Sequence, residues 1–157
     1  MKKIIILFLC ILVISACGDK TDDQLKIKAK SAVEKYLQDK YSPADCQRWL
    51  SMADNNLASK SKAIAVCDNG FNVAKGLEYT NIEVYRNGKD VSVCGVVSGY
   101  TDKSKIGAKF VYTINDNEKI TLKMSKYPVL LSGDKASRLL AAQMIESLND
   151  IERISCK

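Results

Sequence analysis

From residue 22 onward the apolar positions recur at helical spacing. Leu25, Ala29, Ala32, Val33, Tyr36 and Leu37 fall at i, i+4, i+7, i+8, i+11 and i+12, which predicts an amphipathic helix over 22–40. Thr21-Asp22-Asp23-Gln24 in front of it fits a capping box, with Gln24 reaching back to the Thr21 backbone. Ser42-Pro43 restarts a helix, with proline at the first helical position and Asp45 in the first turn. Cys46, Trp49, Leu50 and Ala53 then put a cysteine on the inward face with the only tryptophan. A third helix is predicted over about Lys60–Cys67. Asp68-Asn69-Gly70 stops it, with Asn or Gly expected in the left-handed conformation.

Near Leu77 the period changes to two. Asn87-Gly88 lies between two β-rich runs and predicts a type I′ hairpin. A two-residue loop there pairs Arg86 with Lys89, which sets Val84 opposite Val91 and Ile82 opposite Val93, all on one face. The same register sends Cys94 to the other face, beside Asn81, so an element must cover that second face. Gly95 marks the point where a bulge would alter the register. A second hairpin follows, Phe110, Tyr112 and Ile114 alternating on one strand and Ile120, Leu122 and Met124 on the next. Matching these faces favours a three-residue loop, Asp116-Asn117-Glu118, over a two-residue one. Lys109, Val111, Thr113, Lys119, Thr121, Lys123 and Ser125 then point outward. Tyr127-Pro128 ends the strand, and Ser132-Gly133-Asp134 opens a long helix, roughly 134–152, whose apolar stripe is Ala136, Leu139, Leu140, Met144, Leu148 and Ile151. The fold class is α+β: N-terminal helices, an antiparallel meander of about four strands, and a long C-terminal helix.

The first residues change the picture. Lys2 and Lys3 precede an apolar run, Ile4 to Ile14, which is followed by Ser15-Ala16-Cys17. Some 20 apolar residues are needed to span a bilayer, so this run reads as the h-region of a secretory signal. Ile14-Ser15-Ala16-Cys17 resembles the lipobox of bacterial lipoproteins. That resemblance implies a signal peptide over 1–16, removed in the mature protein, and a lipid on Cys17. Residues 17–21 are then a short tether and 22–157 a single periplasmic domain. Gly18 follows the cysteine and Asp19 comes one place later. In enteric lipoproteins an Asp directly after the cysteine retains the protein at the inner membrane, so the resemblance favours the outer membrane.

Beyond Cys17 four cysteines remain: Cys46, Cys67, Cys94 and Cys156. An even number in an oxidising compartment reads as two disulfides, with three connectivities open. Two adjacent short helices with one cysteine each favour Cys46–Cys67. Cys94 on the second face, covered by the C-terminal helix, favours Cys94–Cys156.

The chain contains no histidine, which excludes Ser-His-Asp and Cys-His constellations. No P-loop, GxGxxG or EF-hand spacing occurs, and no metal or cofactor is expected. The part beyond the leader keeps 22 basic and 18 acidic residues, too mild an excess to point to nucleic acid. Lys103, Lys105, Lys109, Lys119, Lys123 and Lys126, on and around the second hairpin, form a candidate binding surface together with Tyr100 in the loop before it. Val93-Cys94-Gly95-Val96-Val97, with Gly99, Gly107 and Phe110, resembles a V-C-G-x-V segment of small proteobacterial lipoproteins of unassigned function. Gly107-Ala108-Lys109-Phe110 is similar to a stretch of membrane-bound C-type lysozyme inhibitors, which are all-β barrels; the helices at both ends of this chain depart from them. The expectation is a non-catalytic binding or envelope-assembly component, held to a membrane through Cys17 and meeting an envelope protein partner. The alternative is an inhibitor or exclusion factor acting on lysozyme, phage or plasmid.

Overall fold

The computed structural model describes residues 20–157 except Asp116 and Ser132; the expected leader, Cys17 and most of the tether lie outside these residues. Helix α1 (Asp22–Lys40) starts at the predicted capping box. The Thr21 hydroxyl accepts from the Gln24 amide, and the Gln24 side chain accepts from the Thr21 N–H. Its buried residues, Leu25, Ala29, Val33 and Leu37, follow each other every four positions, so one narrow stripe meets the sheet. Helices α2 (Pro43–Asp54) and α3 (Lys60–Cys67) form a hairpin with its own small interior of Cys46, Ala53, Ala63 and Cys67. Neither Asn69 nor Gly70 is left-handed: positive φ occurs only at Asn56, Asn81, Gly76 and Gly88 among the described residues. Helix α3 instead stops at Asp68, φ −100°, whose carboxylate is drawn away into a network described below.

Strands β1 (Leu77–Asn87), β2 (Asp90–Tyr100), β3 (Lys105–Ile114) and β4 (Lys119–Met124) form one antiparallel sheet in the order β1-β2-β3-β4. The first hairpin differs from expectation by one residue. Asn87 pairs with Asp90, and the loop is Gly88-Lys89. Only Gly88 has positive φ, +64°, so glycine serves the first loop position, as a type II′ turn requires, rather than the second of a type I′ turn. Val84 therefore faces Val93, and Cys94 faces Glu83 instead of Asn81. The parity is unchanged, so Ile82, Val84, Val91 and Val93 still share a face.

A bulge does occur, on β1. The register shifts between Thr80 and Glu83, leaving Asn81 and Ile82 against Gly95, with Asn81 at φ +53°. The extra residue restores Ile82 to the face already used by Leu77 and Tyr79. A Cβ on Gly95 would lie 2.7 Å from the Phe110 ring and 3.1 Å from Ile82. Glycine there lets Phe110 cross the sheet. In the second hairpin Thr113 pairs with Lys119, so the connection is longer than the expected Asp116-Asn117-Glu118 loop. The parity again holds, and Phe110, Tyr112, Leu122 and Met124 share the face under α1.

That face carries the core: Val93, Val97, Ile106, Ala108, Phe110 and Tyr112 pack with the α1 stripe and Phe71. Lys28 pairs with Glu118, and Tyr112 Oη donates to the same carboxylate at 2.6 Å, tying α1 to the β3–β4 turn. On the sheet's other face lies α5 (Lys135–Ser155), reached through the single turn α4 (Pro128–Leu131). Only Ala141 of α5 is fully buried. Leu139 and Leu140, expected in its inward stripe, are 61% and 59% exposed. The inward stripe is centred on Ala141 and Leu148, one position round the helix, and only the last turns of α5 cross the sheet. Cys46–Cys67 and Cys94–Cys156 are bonded, with Cα atoms 4.6 and 6.0 Å apart.

Candidate functional site

The six lysines anticipated as one surface separate into four places. Lys109 and Lys123 are cross-strand neighbours and clasp Glu152 of α5 at 2.5 and 3.0 Å. Lys123 also donates to Asn149 Oδ1 at 2.7 Å. These two expected outward residues thus hold down the covering helix. Burial alone would raise the Glu152 pKa, but the bonds from Lys109 and Lys123 outweigh it and keep the carboxyl below its ordinary range. Lys105 and Tyr100 meet at the β2–β3 end, with the ammonium 5.9 Å from the ring centroid, and exposed Lys103 lies in the loop between them. Lys119, exposed opposite Thr113, is eight residues along β3 from Lys105, about 27 Å at strand rise. No single cationic patch results.

Lys126 belongs to a polar clasp. It pairs with Asp68 Oδ2 at 2.6 Å and also donates to Ser104 Oγ. The Thr101 and Ser104 hydroxyls each donate to Asp68 Oδ1 at 2.6 Å. Burial opposes ionisation of Asp68, but Lys126, Ser104 and Thr101 together hold its carboxyl below the usual value. A serine beside a lysine is the minimal nucleophile–base pair. Here Ser104 Oγ donates to Asp68 Oδ1, the carboxylate to which Lys126 is also bound. The trio instead ties the end of α3 to the β2–β3 loop and the end of β4. A neighbouring set does similar work: Tyr41 Oη and Asn72 Nδ2 both donate to Asp102 Oδ1 at 2.8 Å.

Two further concavities stand out among the described residues. One, about 560 Å³, lies between the last turns of α5 and the outer face of β1 and β2, beside Cys94–Cys156. Of its polar groups, Tyr85 donates to Glu83 at 2.6 Å, Glu152 is held by Lys109 and Lys123, and Arg153 pairs with Asp150. The other, about 480 Å³, opens where the end of α1, the start of α2, β4, α4 and α5 converge. Its floor is Leu37, Phe71, Leu122, Met124, Leu130 and Met144, with rings from Tyr36, Tyr41 and Tyr127. The Tyr41 and Tyr127 hydroxyls are turned to internal partners, Asp102 and the Met124 backbone. At the rim are Lys40, Ser42 and Asp45; Asp45 accepts from Arg48 at 2.7 Å. Size, apolar lining and few rim polar groups match a ligand site. Sequence reasoning missed it because its walls come from six separate elements, α3 included through Val66. The signals present in the chain were the two connector tyrosines, Tyr41 and Tyr127, each close before a proline.

No protein-family model, curated protein or solved structure matches the chain. Among the described residues no helix is long and apolar enough to cross a membrane, and no group of three or more His, Cys, Asp or Glu side chains is placed to hold a metal ion.

Proposed function

We propose that this chain is a lipid-anchored, non-catalytic binding component of a bacterial envelope, its α+β domain facing the periplasm. The reading combines a leader with a lipobox and a folded body suited to an oxidising compartment. One observation carries it: all four cysteines beyond Cys17 are consumed in two bridges, 21 and 62 residues apart in sequence. Fully paired cysteines are the habit of exported proteins and rare in the reducing cytosol. Two or more acyl chains on Cys17 would make attachment stable, since one chain alone binds only marginally. Helix α1 begins five residues after Cys17, so the domain would ride close to the bilayer. An envelope protein partner and placement at the outer membrane, on its periplasmic side, belong to the same proposal.

Metabolic labelling with radioactive palmitate tests it. The wild-type protein should carry label and Cys17→Ser should carry none. Equal labelling of the two, or none in either, would remove the anchor from the account.

A further inference from the structure

We infer that the 480 Å³ cleft takes an anionic amphiphile, a molecule with an alkyl body and one carboxylate or phosphate head. The lining supplies the body's environment. Methionines 124 and 144 are adaptable apolar walls, and Leu37, Phe71, Leu122 and Leu130 complete the floor. The apolar surface continues past the mouth. Leu140, 59% exposed, stands one turn before Met144 on α5, and Leu131, 53% exposed, directly follows Leu130.

The rim supplies the head's environment. Its charged side chains are Lys40 and Asp45. Asp45 is neutralised by Arg48, whereas the Lys40 ammonium has no carboxylate partner among the described residues and lies 5.6 Å from the centroid of the Tyr36 ring. Ser42 beside it makes no side-chain capping bond to α2. The mouth therefore offers one uncompensated positive charge and a free hydroxyl, and no bare carboxylate. An occupant with a single negative head completes it; a cationic or uncharged one does not.

The inference deepens the reading of this domain as a binding component, and rests on it. The proposed occupant is a molecule separate from any lipid on Cys17. The 19 residues of α1 run from the anchor end to the cleft, about 28 Å at helical rise.

Photolabelling of the purified full-length chain, held in non-ionic detergent, tests it. The probes are a diazirine analogue of palmitate, the matching fatty alcohol and the matching lysophosphatidylglycerol, with crosslinked peptides mapped by mass spectrometry. The palmitate analogue should label peptides bearing Met124, Tyr127 or Met144. Lys40→Glu, at an exposed position, should reduce that labelling about fivefold and leave the weaker labelling by the alcohol unchanged. Met144→Glu should abolish both. Labelling of the same peptides by lysophosphatidylglycerol would assign a lipid phosphate as head; labelling by the palmitate analogue alone would assign a free fatty acid. Label spread evenly along the chain, label confined to residues 1–19, or carboxylate labelling indifferent to Lys40→Glu would overturn the inference. None of these outcomes alters the metabolic labelling of Cys17, so the ligand and the anchor fail separately.

Discussion

Removing the Cys94–Cys156 bridge by replacing both residues with alanine should cost about 4 kcal/mol. The bridge closes a 62-residue loop, and the chain-entropy model then gives about 4 kcal/mol at 25 °C, against about 3 for the 21-residue loop of Cys46–Cys67. For a domain of this size that corresponds to a fall in Tm of roughly 10–15 °C. The native state should loosen too, because α5 has little else to hold it. One of its residues is fully buried, and its last turns rest on Glu152 between Lys109 and Lys123 and on a bond from Asn87 to the Ile154 carbonyl at 3.4 Å. Hydrogen exchange should therefore rise at the amides of 149–155 beyond the global change, while α1 and the central strands follow global unfolding. Thermal unfolding and exchange mass spectrometry of the double variant measure both. A stability within about 1 kcal/mol of the parent, with α5 protection intact, would refute the reasoning and show that packing alone holds the helix.

Other outcomes follow from the same geometry. Leu25→Ala should lose about 2–5 kcal/mol in denaturant titration, whereas Ile27→Ala, on the exposed side of α1, should stay within about 0.5 kcal/mol. Gly95→Ala should cost about 1–3 kcal/mol, since its Cβ would strike the buried Phe110 ring; an unchanged Tm would show that the ring yields. Asp68 and Glu152 both have carboxyls held below their ordinary values, so the unfolded chain binds protons first as pH falls. Their contribution is present above about pH 4.5 and is lost as pH drops through the folded values. Asp68→Asn should flatten the pH dependence of stability below pH 4.5, and an undiminished acid slope in that variant would contradict the assignment.

Much of the fold was legible because local signals and parity decide it. The Thr21 cap and the stripe from Leu25 to Leu37 set α1, and alternation placed Cys94 on the face opposite Val93. That parity survived a one-residue slip of the first hairpin, since the bulge at Asn81 and the turn at Gly88 moved partners without exchanging faces. What stayed hidden depends on long-range placement. The α5 periodicity gave a helix but not its rotation, because an apolar face such as Leu139 and Leu140 need not find a neighbour. Lys109 and Lys123 read as surface charges, since nothing near them in sequence announces Glu152. The aromatic cleft, assembled from α1, α2, α3, β4, α4 and the middle of α5, has no contiguous trace at all.

Mass spectrometry of the N-terminal peptide of the protein purified from membranes tests the proposed anchor on Cys17 most directly. The predicted result is a peptide that begins at Cys17 and carries the added mass of a thioether-linked diacylglycerol. A mature chain beginning at any other residue, or an unmodified Cys17, would contradict it.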